Sequence, residues 1–175
     1  SYSVLNRRDF YVENALVNRG KGRNIGVDIT LERYLNKGLY YMVTASIFDS
    51  KYYGGDRKWR NTLYNRNFII NVLGGKEWMV GRDKQNMFSV NFKITLQGGD
   101  RYAPVDEVAT LLDPDREVQY DETKAFSKQF SPMFITNFSV GYKINRKKVS
   151  HEFSIKSLNT TGCEEYYGHE YNFKT

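Results

Sequence analysis

Between Phe88 and Gln97 the chain alternates without exception. Phe88, Val90, Phe92, Ile94 and Leu96 take one face of an extended strand, and Ser89, Asn91, Lys93, Thr95 and Gln97 take the other. The same period of two governs Gly22 to Tyr53. There Ile25, Val27, Ile29 and Leu31 alternate with Gly26, Asp28, Thr30 and Glu32, and after Asn36-Lys37-Gly38 the residues Tyr41, Val43, Ala45 and Ile47 alternate with Met42, Thr44, Ser46 and Phe48. Asn-Lys-Gly is tight-hairpin chemistry, with Gly38 free to take positive φ. Strands of roughly 9–11 residues are long enough to cross a bilayer when tilted, whereas a globular strand is usually nearer 5–6.

The pattern predicts an all-β fold: an antiparallel up-and-down meander of about six long strands. Their expected bounds are 22–34, 39–50, 63–80, 88–97, 132–145 and 149–158. Phe68, Ile70 and Val72 set the apolar face of the third, with a bulge expected at Gly74-Gly75. Phe134, Phe138, Val140 and Tyr142 set that of the fifth, and Val149, His151, Phe153 and Ile155 that of the sixth. Residues 1–21 have no clean period and are read as an extended or partly stranded approach. One short helix is expected from Pro104 to Leu112, where Val105, Val108, Leu111 and Leu112 fall near helical spacing.

The connections alternate in length. Short turns follow the first, third and fifth strands (36–38, 81–86 and 145–148), and long segments follow the second, fourth and sixth (about 51–62, 98–131 and 159–175). Short turns at one end and long loops at the other are the pattern of an outer-membrane β-barrel. Asp28, Glu32, Lys93, Glu152 and Lys156 on the polar faces suit a wet lumen better than a dry core.

Composition bounds the alternatives. The chain is 40% hydrophobic with a mean hydropathy of -0.63, and no apolar run is long enough for a transmembrane helix; a barrel stays open because alternation averages hydropathy away. The 14 Tyr and 11 Phe suit strands and membrane-interface positions. The net charge of +6 is scattered, with no dominant basic tract. One cysteine, Cys163, excludes an intrachain disulfide framework. No signal peptide opens the chain at Ser1-Tyr2, so the expectation is either a cytoplasmic protein or a piece of a longer one.

The combination of segments NRGKGRNIGVDITLERYLNKGLYYMVTASIFDSKYYGGDRKWRNTLYNRNFIINVLGGKEW, FSVNFKITLQGGDRYAPVD, YKINRKKVSHEFSIKSLN and EYYGHEYNF resembles the late barrel strands of TonB-dependent receptors of the Bacteroidetes type. The resemblance covers essentially the whole chain. It implies part of a 22-stranded outer-membrane barrel, whose partners are a plug domain, the remaining barrel strands, outer-membrane lipid and, through the plug, the TonB–ExbB–ExbD complex. It implies active import of a nutrient, localisation in the cell outer membrane, no nucleic acid and no cofactor. The plug and a closing strand after Lys174-Thr175 are absent, so the resemblance implies a fragment of roughly six strands, short of the eight of the smallest membrane barrels.

No catalytic set is recognisable. Gly20, Gly22 and Gly26 lack dinucleotide-loop spacing, and Gly74-Gly75-Lys76 lacks the rest of a phosphate loop. Asp113, Asp115, Asp121 and Glu122 read as a solvated acidic loop rather than a calcium site, and His151 and His169 as too few and too separated for a metal. Asn137-Phe138-Ser139 and Asn159-Thr160-Thr161 match the glycosylation pattern by chance. The ligand-binding candidates lie in the long loops: Tyr52, Tyr53, Asp56, Arg57, Trp59 and Arg60, then Arg101 and Tyr102, which combine stacking faces with charged hydrogen-bonding groups. Two other readings compete. One is a soluble β-barrel binding a small apolar ligand, with Phe88, Val90 and Phe92 turned inward. The other is a basic β-sheet module stacking nucleic-acid bases on aromatics.

Overall fold

The computed structural model describes residues 3, 17–115, 117–166 and 169. The reading of residues 1–21 as an approach, and any strand beyond 175, fall largely outside them. Six long strands run in sequence order through one antiparallel sheet, β1 (Lys21–Asn36), β2 (Leu39–Tyr53), β4 (Phe68–Val80), β5 (Asn86–Gln97), β8 (Met133–Asn145) and β9 (Ser150–Ser157). A three-residue strand, β3 (Trp59–Asn61), folds back on the end of β2. A second, small sheet pairs β6 (Arg101–Tyr102) with β7 (Lys128–Gln129). The helix α1 spans Glu107–Leu112. The expected up-and-down meander is therefore the observed one.

The pairing register carries the apolar residues into rows. Val27 faces Ile47, which faces Phe68; Ile70 faces Leu96, which faces Phe134; Phe92 faces Phe138; and Val140 faces Ile155. One face of the sheet is thus apolar across all six long strands. Among the described residues no second layer covers it. Ile29 is 63% exposed and Ile155 81%.

The opposite face is polar and tied together by side chains. Tyr40 Oη donates to Asn91 Oδ1 at 2.8 Å, and Asn91 Nδ2 donates to Ser139 Oγ at 3.2 Å. Two rows away, Thr95 Oγ1 donates to Asn71 Oδ1 at 2.8 Å, and Asn71 Nδ2 to Thr44 Oγ1 at 3.4 Å. The first chain joins β2, β5 and β8 across β4, and the second joins β2, β4 and β5.

The short turns match the expected ones. In the first, both Lys37 (φ 51°) and Gly38 (φ 75°) are left-handed, the geometry of a two-residue turn suited to strand twist. Gly38 O also accepts from Glu77 N at 2.7 Å, which locks this turn to β4.

Two expectations are corrected. The glycine pair makes no bulge: the ladder runs unbroken from Tyr41↔Gly74 and Tyr40↔Gly75 on one side to Gly74↔Phe92 and Gly75↔Asn91 on the other. The strand expected from residue 63 starts only at Phe68. Asn67 takes φ 69°, which breaks extension, and Asn65 spends its side chain on neighbouring chain segments.

The absence of a side chain at Gly75 leaves the path that Tyr40 takes to Asn91. A Cβ there would lie 2.7 and 2.8 Å from ring atoms of Tyr40. Gly75→Val is expected to displace that ring, break the Tyr40–Asn91 bond and destabilise the sheet by roughly 1–3 kcal/mol. Thermal unfolding followed by circular dichroism checks this, and an unchanged midpoint refutes it.

Candidate functional site

The two long loops 51–62 and 98–131 and the described part of the third segment (159–166 and 169) gather at one end of the sheet, opposite the short turns. The loop joining β2 to β4 folds around a buried amide. Asn65 is wholly buried; its Oδ1 accepts from Ser50 N at 3.0 Å, and its Nδ2 donates to Asp49 Oδ1 at 3.0 Å and Asn61 Oδ1 at 2.9 Å. Burying an amide is tolerable only because these groups are satisfied.

The loop joining β5 to β8 docks on this one. Arg60 makes a fork with Asp56, Nη1 to Oδ1 at 2.7 Å and Nη2 to Oδ2 at 2.6 Å, and donates from Nη2 to Thr123 O at 2.9 Å. Arg66 Nε donates to Asp100 Oδ1 at 2.6 Å, and Arg66 Nη2 lies 3.4 Å from Glu165. Arg101 donates to Asn65 O at 2.7 Å and to Asn67 Oδ1 at 2.6 Å. Tyr52, Ala125 and Phe126 form a small core beneath, with the Tyr52 and Phe126 rings edge to face at 6.3 Å. Above it Tyr102 stacks on Phe130 at 4.3 Å, and His169 sits 4.9 Å from Tyr102.

The electrostatics follow from this packing. The Arg60 hydrogen bonds hold the Asp56 carboxyl down at about 2. Burial pushes the Tyr52 phenol up to about 12.

The eight expected binding residues thus divide. Tyr52, Asp56, Arg60 and Arg101 hold loops together, and Tyr102 lies in the aromatic stack. Arg57 (φ 61°) is exposed in the turn before β3. Trp59 stays half-exposed, with the Tyr53 ring 5.4 Å away and the Arg23 guanidinium 5.5 Å over its ring. Asn65, Arg66, Asp100, Thr123 and Phe130 carry as much of the loop architecture, and no spacing in the sequence marks them. The helix differs too. It starts at Glu107, where Asp106 caps it by accepting from Ala109 N, and it buries Thr110 while Val108, Leu111 and Leu112 face outward.

Two open grooves flank β1 and β2 at this end. One, of about 440 Å³, is lined by Arg23, Lys51, Trp59, Arg60, Asn61 and the 123–127 segment. The other, of about 460 Å³, lies against the polar face between Asn24, Asp28, Ser46, Phe48 and Tyr64. Among the described residues no three His, Cys, Asp or Glu side chains come together as metal ligands. Asp113 instead accepts from Asp115 N and Gln119 Nε2, and Asp121 from Thr123 N.

Comparison with protein-family models, curated proteins and solved structures finds no match. The class defined by the structure is a predominantly antiparallel β-sheet protein with up-and-down strand order.

Two outcomes follow from the loop packing. Phe126→Ala is expected to cost about 3 kcal/mol of loop stability, read as earlier proteolysis within 98–131. Asp56 has a depressed folded pKa, so its contribution is present above the ordinary carboxylate range and lost as pH falls from about 4 towards 2. Near-ultraviolet circular dichroism should weaken over that window, and Asp56→Asn should flatten that limb.

Proposed function

We propose that this chain forms barrel wall and external loops of an outer-membrane receptor of the TonB-dependent kind, which imports a nutrient through the membrane. The observation that carries the reading is the uncovered apolar face. Ten of its side chains, Ile25, Val27, Ile29, Leu31, Ile47, Phe92, Phe134, Phe138, Phe153 and Ile155, are more than two-fifths exposed. At roughly 1.5–3 kcal/mol for each side chain fully buried, leaving them in water forfeits on the order of 10–20 kcal/mol. That rivals the whole stability of a typical domain, about 5–15 kcal/mol. Lipid removes the cost on the apolar face, and a wet lumen suits the face of Asp28, Thr44, Asn71 and Asn91.

The ends of the sheet agree with this orientation. Short turns fit the periplasmic side and the packed long loops fit the outside, where Trp59, Tyr53 and Arg57 remain accessible to a ligand. The outer edges of β1 and β9 would be paired by the remaining barrel strands, because unpaired edges are not tolerated within hydrocarbon. The plug and the TonB complex act from beyond this wall. The chain's own part is passive: it excludes lipid from the lumen and presents the loops.

An immunoblot of fractionated cells with an antibody to this chain should give an outer-membrane band well above 20.5 kDa. A soluble band at the chain's own size overturns the reading. A paired substitution separates lipid from water directly. Ile29 and Thr30 are neighbours on β1 and both exposed, but on opposite faces. Ile29→Arg is expected to cost roughly 2–4 kcal/mol in a bilayer and Thr30→Arg much less. Equal effects in refolding titrations into lipid vesicles contradict the membrane assignment.

A further inference from the structure

The groove around Trp59 lies on the same face of the sheet as the apolar rows, and directly beyond their end. On β1 that face runs Leu31, Ile29, Val27, Ile25 and then Arg23. On β2 it runs Val43, Ala45, Ile47 and then Asp49, Lys51 and Tyr53, with Arg23 opposite Lys51 and Lys51 opposite Asn61. Positions two apart on one face are about 7 Å apart, so on β1 the change from aliphatic to cationic takes one row, while on β2 Asp49 stands between Ile47 and Lys51. Arg23, Lys51 and Lys124 bring positive charge to the groove, and no carboxylate is among its lining residues; Arg60 also borders it, but sits opposite Tyr52 with its guanidinium bound to Asp56.

We propose that this groove seats the phosphate of an anionic lipid headgroup, with the acyl chains lying along Ile25 and Ile47 below it. The inference rests on the membrane reading and goes beyond it by naming a lipid class and a site. Charge complementarity selects an anion, and continuity with the apolar face selects a lipid over a free phosphate. Trp59 contributes an amphipathic ring at the level where the headgroup meets water, held by the Arg23 guanidinium over its face.

Carboxylates next to the groove moderate its charge. Asp49 lies 3.1 Å from Lys51 Nζ and 3.8 Å from the Arg23 guanidinium. Asp121 lies 3.1 Å from Lys124 Nζ, and Asp56 is bound to Arg60. A headgroup phosphate shares Arg23 and Lys51 with Asp49, so affinity depends on that carboxylate as well as on the cations.

The test uses the protein extracted from membranes into a non-ionic detergent and titrated with phosphatidylglycerol or phosphatidylcholine, with bound lipid counted by native mass spectrometry. Phosphatidylglycerol is expected to bind at least about ten-fold more tightly. Arg23→Gln with Lys51→Gln should weaken it roughly ten-fold, less than the thirty-fold of two unshared cations. Asp49→Asn should tighten it, a change of sign that misfolding does not imitate. No preference for the anionic lipid, or no response to these variants, overturns this inference alone. Inorganic phosphate binding as tightly as phosphatidylglycerol also overturns it, in favour of a soluble anion. Recovery of the protein only from the soluble fraction overturns the membrane reading beneath it.

Discussion

The structure depends on one constraint, the unbroken antiparallel register from β1 to β9. Because side chains alternate, a slip of one residue in any pair would send that strand's apolar set to the polar face. The register is held at the short-turn end by side chains and backbone that reach across strands. Gly38 O accepts from Glu77 N, and Asn86 Oδ1 accepts from Asn145 N at 3.1 Å. Each joins a hairpin to the next strand pair, so the three hairpins are fixed as one sheet. The polar chains through Asn91 and Asn71 repeat the same service in the middle.

The two ends of the sheet are built from different physics. The short-turn end combines local turn geometry with two cross-strand hydrogen bonds, from Glu77 N to Gly38 O and from Asn145 N to Asn86 Oδ1. The long-loop end is held by arginines: Arg60, Arg66 and Arg101 each bridge separate segments through fixed, forked donor sets. The described residues have almost no apolar core apart from Tyr52, Ala125 and Phe126. Charge-assisted hydrogen bonds therefore carry the loop order, and this is why so many of the polar candidates are committed to structure.

This division explains what could be read from the sequence. The six strands, their faces and their turns were legible because periodicity is a local property of neighbouring residues. Five alternating pairs from Phe88 to Gln97 leave one solution. The start of β4 was not legible, since Leu63 and Tyr64 look like strand residues and only the contacts of Asn65 with Asp49 and Ser50 show otherwise. The pairing of β6 with β7, the Arg60–Thr123 contact and the outward face of α1 likewise join residues far apart in sequence or depend on a neighbour's position. Nothing in their spacing encodes them. The polar and aromatic character of the 52–60 stretch drew attention to a binding surface, and packing assigned half of that chemistry to loop support.

The glycine pair in β4 shows how closely the two faces are fitted. Paired glycines weaken a strand and are read, reasonably, as a bulge. Here they sit in regular pairing, and their missing side chains point to opposite faces. On the apolar side a Cβ at Gly74 would come within 3.2 Å of the Phe92 ring, and on the polar side one at Gly75 would meet the Tyr40 ring. Each glycine yields its space to an aromatic ring from an adjacent strand. Phe92 thereby lies down over β4 within the apolar face, and Tyr40 crosses β4 to reach Asn91. The loss of strand propensity at two positions is offset by ring packing on one face and a hydrogen bond on the other. Gly74 thus answers to packing on the apolar face and Gly75 to packing on the polar face, so both faces constrain this one strand.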